Sequence, residues 1–177
     1  MNYCEKIRYN IYTTEVADFT TMADTLLAQL PKDESIFRLV FFGTPANNEE
    51  YVTRRSILWN KIQQRYEDRL PVMSYVSQPA LDGALTLEVH SYRADENDHI
   101  TYHPNKGFPY VTLENADGRF LFAGGFHSDI LDFNIQQQAV EIFRLASEVL
   151  HKENFPIENI IRQWNYIEQI TSFDGAD

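Results

Sequence analysis

Few residues in this chain carry chemistry by type and spacing. Glu88 and His90 stand two apart, which places both on one face of a strand. A carboxylate beside an imidazole can pass a proton, although a solvated strand face is the plainer reading of such a pair. Arg162, in Arg162-Gln163-Trp164-Asn165-Tyr166, can hold a carboxylate through its guanidinium fork if its strand face looks into a cleft. Otherwise its stem packs over apolar neighbours; Trp164 and Tyr166 share its face and make that face aromatic. His127 follows Gly124-Gly125 and can donate to an anion, with an exposed loop histidine as the alternative. His90, His99, His103 and His127 do not fall at helical metal spacing, so no metal site is expected. The chain has neither a glycine-rich phosphate loop nor a nucleophile elbow, and no cofactor is expected.

These residues need elements to position them. Residues 7–12 alternate as a half-buried strand, with Ile7, Tyr9 and Ile11 on one side. Phe19, Met22, Leu26, Leu27 and Leu30 recur at helical spacing up to Pro31. The apolar run Ile36 to Gly43 predicts a covered strand, and Asn47-Asn48 with Glu49-Glu50 predicts the start of a helix. Its apolar face holds Tyr51, Leu58, Ile62 and Tyr66. Strands are predicted at Val72 to Ser77 and Ala84 to Tyr92, around a turn at Asp82-Gly83 that Pro79 lengthens beyond a tight hairpin. The polar stretch 93–107 reads as a linker in which Ile100 and Tyr102 can form a short strand. Tyr110 to Leu113 and Arg119 to Ala123 flank the hairpin turn Asn115-Ala116-Asp117-Gly118. From Asn134 to Lys152 an amphipathic helix carries Ile135, Ala139, Ile142, Phe143, Ala146, Val149 and Leu150 as a stripe predicted to be buried. Beyond Pro156, Ile160 to Ile167 alternates like a strand.

Two α/β units follow, residues 1–92 and 108–177 joined by the linker, and the second lacks a helix and two strands needed to match the first. Composition bounds what they do. The 177 residues are 44% hydrophobic, enough for a real core. Fifteen Lys plus Arg against 26 Asp plus Glu give a formal charge of −11, which repels nucleic-acid backbones. The single Cys4 rules out an intrachain disulfide and suggests a reducing compartment. With no apolar leader and no apolar run of about twenty residues, no membrane partner is expected and the cytoplasm is the expected location.

Several segments together resemble a known family. Phe108-Pro109-Tyr110, Phe120-Leu121-Phe122-Ala123-Gly124-Gly125, the long helix after them and Ile160 to Ile167 resemble the first half of a RidA-like (YjgF-like) domain. Residues 70–92 resemble its second half. The inverted order is similar to that of chorismatases, in which a reduced RidA-like lobe precedes a fuller one, and Arg162 to Tyr166 looks particularly like that group. The resemblance covers roughly residues 36–92 and 108–172.

It implies an α/β (α+β) fold: a RidA-like mixed sheet with helices packed on one face, in two incomplete units. It implies chemistry on the enolpyruvyl ether of chorismate, which needs an acid for the enol-ether carbon and cations for two carboxylates. The family's catalytic acid is expected beyond the position equivalent to Asp177, so no catalytic residue is assigned here and the chain alone is expected to be inactive. Tyr110 corresponds to a pocket tyrosine, and Gly124-Gly125 to backbone that faces ligand; His127 and Arg162, taken from their own chemistry, complete the expected binding set for a small anionic metabolite. The family also implies a homo-oligomer, a trimer. One departure bears on RidA-type imine hydrolysis: Met73 stands where those enzymes carry a carboxylate-binding arginine.

Overall fold

Four Asn or Asp side chains begin the four helices of the described residues. In a computed structural model that describes residues 2–80, 82–105, 107–128 and 134–167, Asn2, Asp18, Asn47 and Asn134 each accept a hydrogen bond from the backbone N–H three residues on. They open α1 (Tyr3–Lys6), α2 (Phe19–Ala28), α3 (Asn48–Tyr66) and α4 (Ile135–Lys152). The strands are β1 (Ile7–Thr14), β2 (Ser35–Gly43), β3 (Val72–Ser77), β4 (Leu85–Tyr92), β5 (His99–His103), β6 (Tyr110–Asn115) and β7 (Gly118–Phe122). The short α1, with its Asn2–Glu5 capping box, is the one helix that apolar periodicity did not predict.

The fold is mixed α+β, with a four-stranded sheet in the order β1-β4-β2-β3 and an antiparallel sheet β5-β6-β7. β2 and β3 run parallel, as the α3 crossover between them requires. Because β2 lies between β3 and β4, the turn at Asp82-Gly83 does not close a hairpin. It seats Gly83, at φ +68°, against β1, where an added Cβ would lie 2.4 Å from the Thr14 carbonyl.

α2 and α3 cover one face of the first sheet. Met22, Leu26, Leu27, Leu58 and Ile62 pack there on Ile36, Leu39, Phe41, Leu85, Leu87 and Val89. The second sheet lies across part of the opposite face, where Val111 and Leu113 join Ile7, Phe37, Val72 and Tyr92 in one apolar cluster. Phe37 lies between Tyr92 and Phe122, at ring separations of 5.3 and 4.8 Å. The stretch 93–107 therefore contains an element, β5, whose Ile100 and Tyr102 pack on that shared cluster.

Two expectations need correction. Ile160 to Ile167 forms no strand. After the 3-10 turn Ile157–Asn159 it lies on the helix-free face of the first sheet, with Trp164 against Arg38 and Tyr166 against Phe42. Its alternation reflects side chains set down on a sheet face and not a backbone ladder at an edge. The apolar stripe of α4 is also not buried: Ile135 is 60% and Phe143 51% exposed, and of that helix only Val149 is buried. No described element lies over the stripe.

Candidate functional site

A β-bulge sets up the site. Along β2, Ile36 points to the helices and Phe37 to the opposite face, so strict alternation would send Arg38 into the apolar core. The register slips between Ile36 and Arg38, and this turns Arg38 onto the helix-free face beside Phe37. There the pairings form two rows. Val72, Arg38, His90 and Tyr9 lie side by side across the sheet, and Ser74, Val40, Glu88 and Ile11 form the next row.

His90 Nε2 lies 2.8 Å from Glu88 Oε1, and Arg38 Nη1 lies 3.9 Å from the same oxygen. The Tyr9 ring meets the imidazole edge-on at 4.7 Å. Trp164 closes the far side: the Arg38 guanidinium is 4.9 Å from its ring and the Arg162 guanidinium 3.9 Å. Burial lowers the pKa of Arg38, Glu88 opposes that shift, and the nearby Arg162 charge adds to it. Burial also holds His90 below the ordinary histidine range; Glu88 pulls the other way, and Arg38 and Arg162 push it further down. His90 is therefore neutral at neutral pH. Arg38 then has one carboxylate, Glu88, at the long distance of 3.9 Å, and Arg162 has none within ion-pair distance among the described residues. Such a niche suits an incoming carboxylate, which would relieve the repulsion between the arginines and could lie along the indole.

Of the expected binding residues, only Arg162 reaches this niche. Tyr110 is fully buried under the second sheet; its hydroxyl donates to Glu153 Oε1 at 2.6 Å and its ring stacks on His103 at 4.3 Å. Burial, then the Glu153 charge, raises the pKa of that hydroxyl. Arg119 also pairs with the Glu153 carboxylate and donates to its carbonyl at 2.5 Å, which fixes the C-terminal end of α4 to β7. Gly124 and Gly125 are required for packing against β3. At Gly125, φ is +69° and an added Cβ would lie 2.1 Å from the Met73 carbonyl oxygen; at Gly124 it would lie 3.1 Å from Val72 Cγ1. His127 Nδ1 sits 2.8 Å from the Gly125 carbonyl and 3.1 Å from Arg55 Nη2, with its ring 4.9 Å from Phe108.

Sequence reasoning missed Arg38. Its signal was a lone cation inside the apolar run Ile36 to Gly43. It also missed Glu153, a buried carboxylate at a helix C-terminus, where the dipole disfavours negative charge. Met73 points into the helix-side core and is 6% exposed. Among the described residues no group of three His, Cys, Asp or Glu side chains is placed to hold a metal ion, and no helix is long and apolar enough to cross a membrane. Comparison with known families, with curated proteins and with solved structures gave no match to this chain.

Proposed function

We propose that the chain is the N-terminal part of a chorismatase-like protein, and that its Arg38–Arg162 niche holds a carboxylate of a small anionic metabolite of the chorismate class. The observation that supports this reading is the shared indole: both guanidiniums lie within 5 Å of the Trp164 ring, and among the described residues the one carboxylate within ion-pair distance of either is Glu88, 3.9 Å from Arg38. Release of pyruvate from the enolpyruvyl ether needs an acid that protonates the enol carbon and a water that attacks the resulting oxocarbenium carbon. In this reading the chain contributes binding and orientation, and catalysis awaits an acid it does not supply. Titration with chorismate, followed by Trp164 fluorescence in a Trp59→Phe background, tests it. Saturable quenching is expected, with Arg162→Ala weakening binding about tenfold, the loss of one charge-assisted contact. No quenching up to millimolar chorismate overturns the binding role, and sustained pyruvate release by this chain overturns its inactivity alone.

A second reading, a non-catalytic RidA-like binding or assembly module, draws support from the uncovered apolar stripe of α4. The imine-deaminase reading is weaker. An arginine at position 73 would be desolvated in the helix-side core, and Met73 offers a carboxylate nothing.

A further inference from the structure

β1 is an eight-residue strand at the edge of the first sheet, pairing only with β4 among the described residues. Its register with β4 runs without a break from Ile7 to Thr14. It carries no Pro, no Lys, no bulge and no carboxylate, the usual protections within an edge strand, and Arg8 is its single charge. In a chain of formal charge −11 this strand presents no acidic side chain to repel a second copy.

The free hydrogen-bonding groups can be named. The Lys6 carbonyl accepts from the Arg93 N–H at 3.1 Å, and the Thr14 carbonyl from the Ala84 N–H at 2.8 Å. Even-numbered residues therefore turn their backbone groups toward β4. By alternation, Tyr9, Ile11 and Thr13 turn their N–H and C=O groups toward the open edge, while the Ile7 N–H donates to the Tyr3 carbonyl and its C=O accepts from Arg8 Nη1 at 3.0 Å. Tyr9 is 64% and Ile11 58% exposed, on the face that carries His90 and Arg38.

We infer that this edge binds a second copy of the chain, β1 against β1, antiparallel about a two-fold axis at Asn10. The outward backbone groups require odd residues to pair with odd ones. Centring on Asn10 sets Tyr9 of each copy opposite Ile11 of the other, so that each strand donates to and accepts from its partner at both positions. Two aromatic–β-branched pairs result, a favourable cross-strand combination. Arg8 falls opposite Tyr12, a cation over an aromatic ring, and no two charges of like sign face each other within the strands. The interface is isologous and closes as a dimer, with one eight-stranded sheet through both copies. It also brings the partner's Ile11 beside Tyr9, which packs on His90, so each copy helps wall the other's niche. The inference rests on the edge and holds whether or not chorismate is the ligand.

Light scattering on a dilution series tests it, with the dimer expected at twice the 20.7 kDa chain mass. Ile11→Lys places a charge on the exposed face, and Ile11→Pro removes an outward N–H that β4 does not use, so the monomer fold is retained. Both are expected to raise the dimer dissociation constant at least about tenfold, with unchanged far-UV circular dichroism. In a Cys4→Ser background, Asn10→Cys is expected to form an intermolecular disulfide across the axis on mild oxidation, and Thr14→Cys is not. A monomer at about 100 μM, a dissociation constant weaker than that of a specific dimer, a trimer, or a dimer indifferent to both Ile11 substitutions overturns the inference.

Discussion

At Gly125 the backbone adopts φ +69°, and any side chain would collide with the Met73 carbonyl. Both effects act together, so Gly125→Ala is expected to lower stability by about 2–4 kcal/mol or to lift residues 123–127 from β3. A urea melt measures this, and a loss below about 0.5 kcal/mol would contradict the contact. The histidines carry the pH dependence. His90 and His103 are both held below the ordinary histidine range, first by burial. For a depressed base the unfolded chain takes up the proton first, so stability is fully present above the unfolded pKa, near 6.5, and declines as pH falls toward the folded value. Glu153 acts lower on the scale. Burial raises its pKa, but Tyr110, His103 and Arg119 outweigh burial and hold it down, so its contribution is lost only as pH drops through its folded value, below the ordinary carboxylate range. Melts of wild type and His90→Gln between pH 7.5 and 5, the range around the unfolded histidine pKa, should show a shallower decline in the variant.

Among the elements, α4 departs most from what its sequence implies. Its moment is strong, and a stripe of that kind ordinarily packs on a core; here the helix is held at its C-terminal end by Val149 and by the Glu153–Tyr110–Arg119 contacts. Phe143→Ser is therefore expected to change stability by no more than about 0.5 kcal/mol, against about 3–5 kcal/mol for losing a buried Phe. Chemical denaturation distinguishes the two. Periodicity and capping residues made α2, α3, α4 and six of the seven strands readable, because each signal is local; β5 lies in the stretch read as a linker with room for a short strand. The fate of Ile160 to Ile167 was not readable. An alternating segment can serve a ladder or lie on a face, and only the position of β2 beneath Trp164 and Tyr166 decides. For the same reason Arg162 was legible as a candidate and Arg38 was not, since a one-residue bulge in β2 determines which face Arg38 occupies.

For the molecule as a whole, the order of layers separates tasks. Helices α2 and α3 bury one face of the first sheet, the second sheet covers part of the other, and the remainder of that face carries the arginine–histidine niche. The expected binding residues are divided accordingly: Tyr110 serves the second sheet's attachment to α4, Gly124 and Gly125 its seam with β3, and Arg162 the niche. Proximity along the chain did not foretell this division, because the sheet brings together residues as distant as Tyr9, His90 and Arg162.

The strand order has a consequence in time. β1 is made before the other strands described, yet β4, its one ladder partner among the described residues, ends at Tyr92. Between Thr14 and Tyr92 the ribosome adds 78 residues (92 − 14), which takes about 4–16 s at 5–20 residues per second. During that interval an uncharged run of Tyr9, Asn10, Ile11, Tyr12, Thr13 and Thr14 waits without a native mate while neighbouring nascent chains on the same message expose the same run. β1 thus stays open to a holding chaperone until β4 has been made, and the rate at which β4 joins β1 sets how long that need lasts.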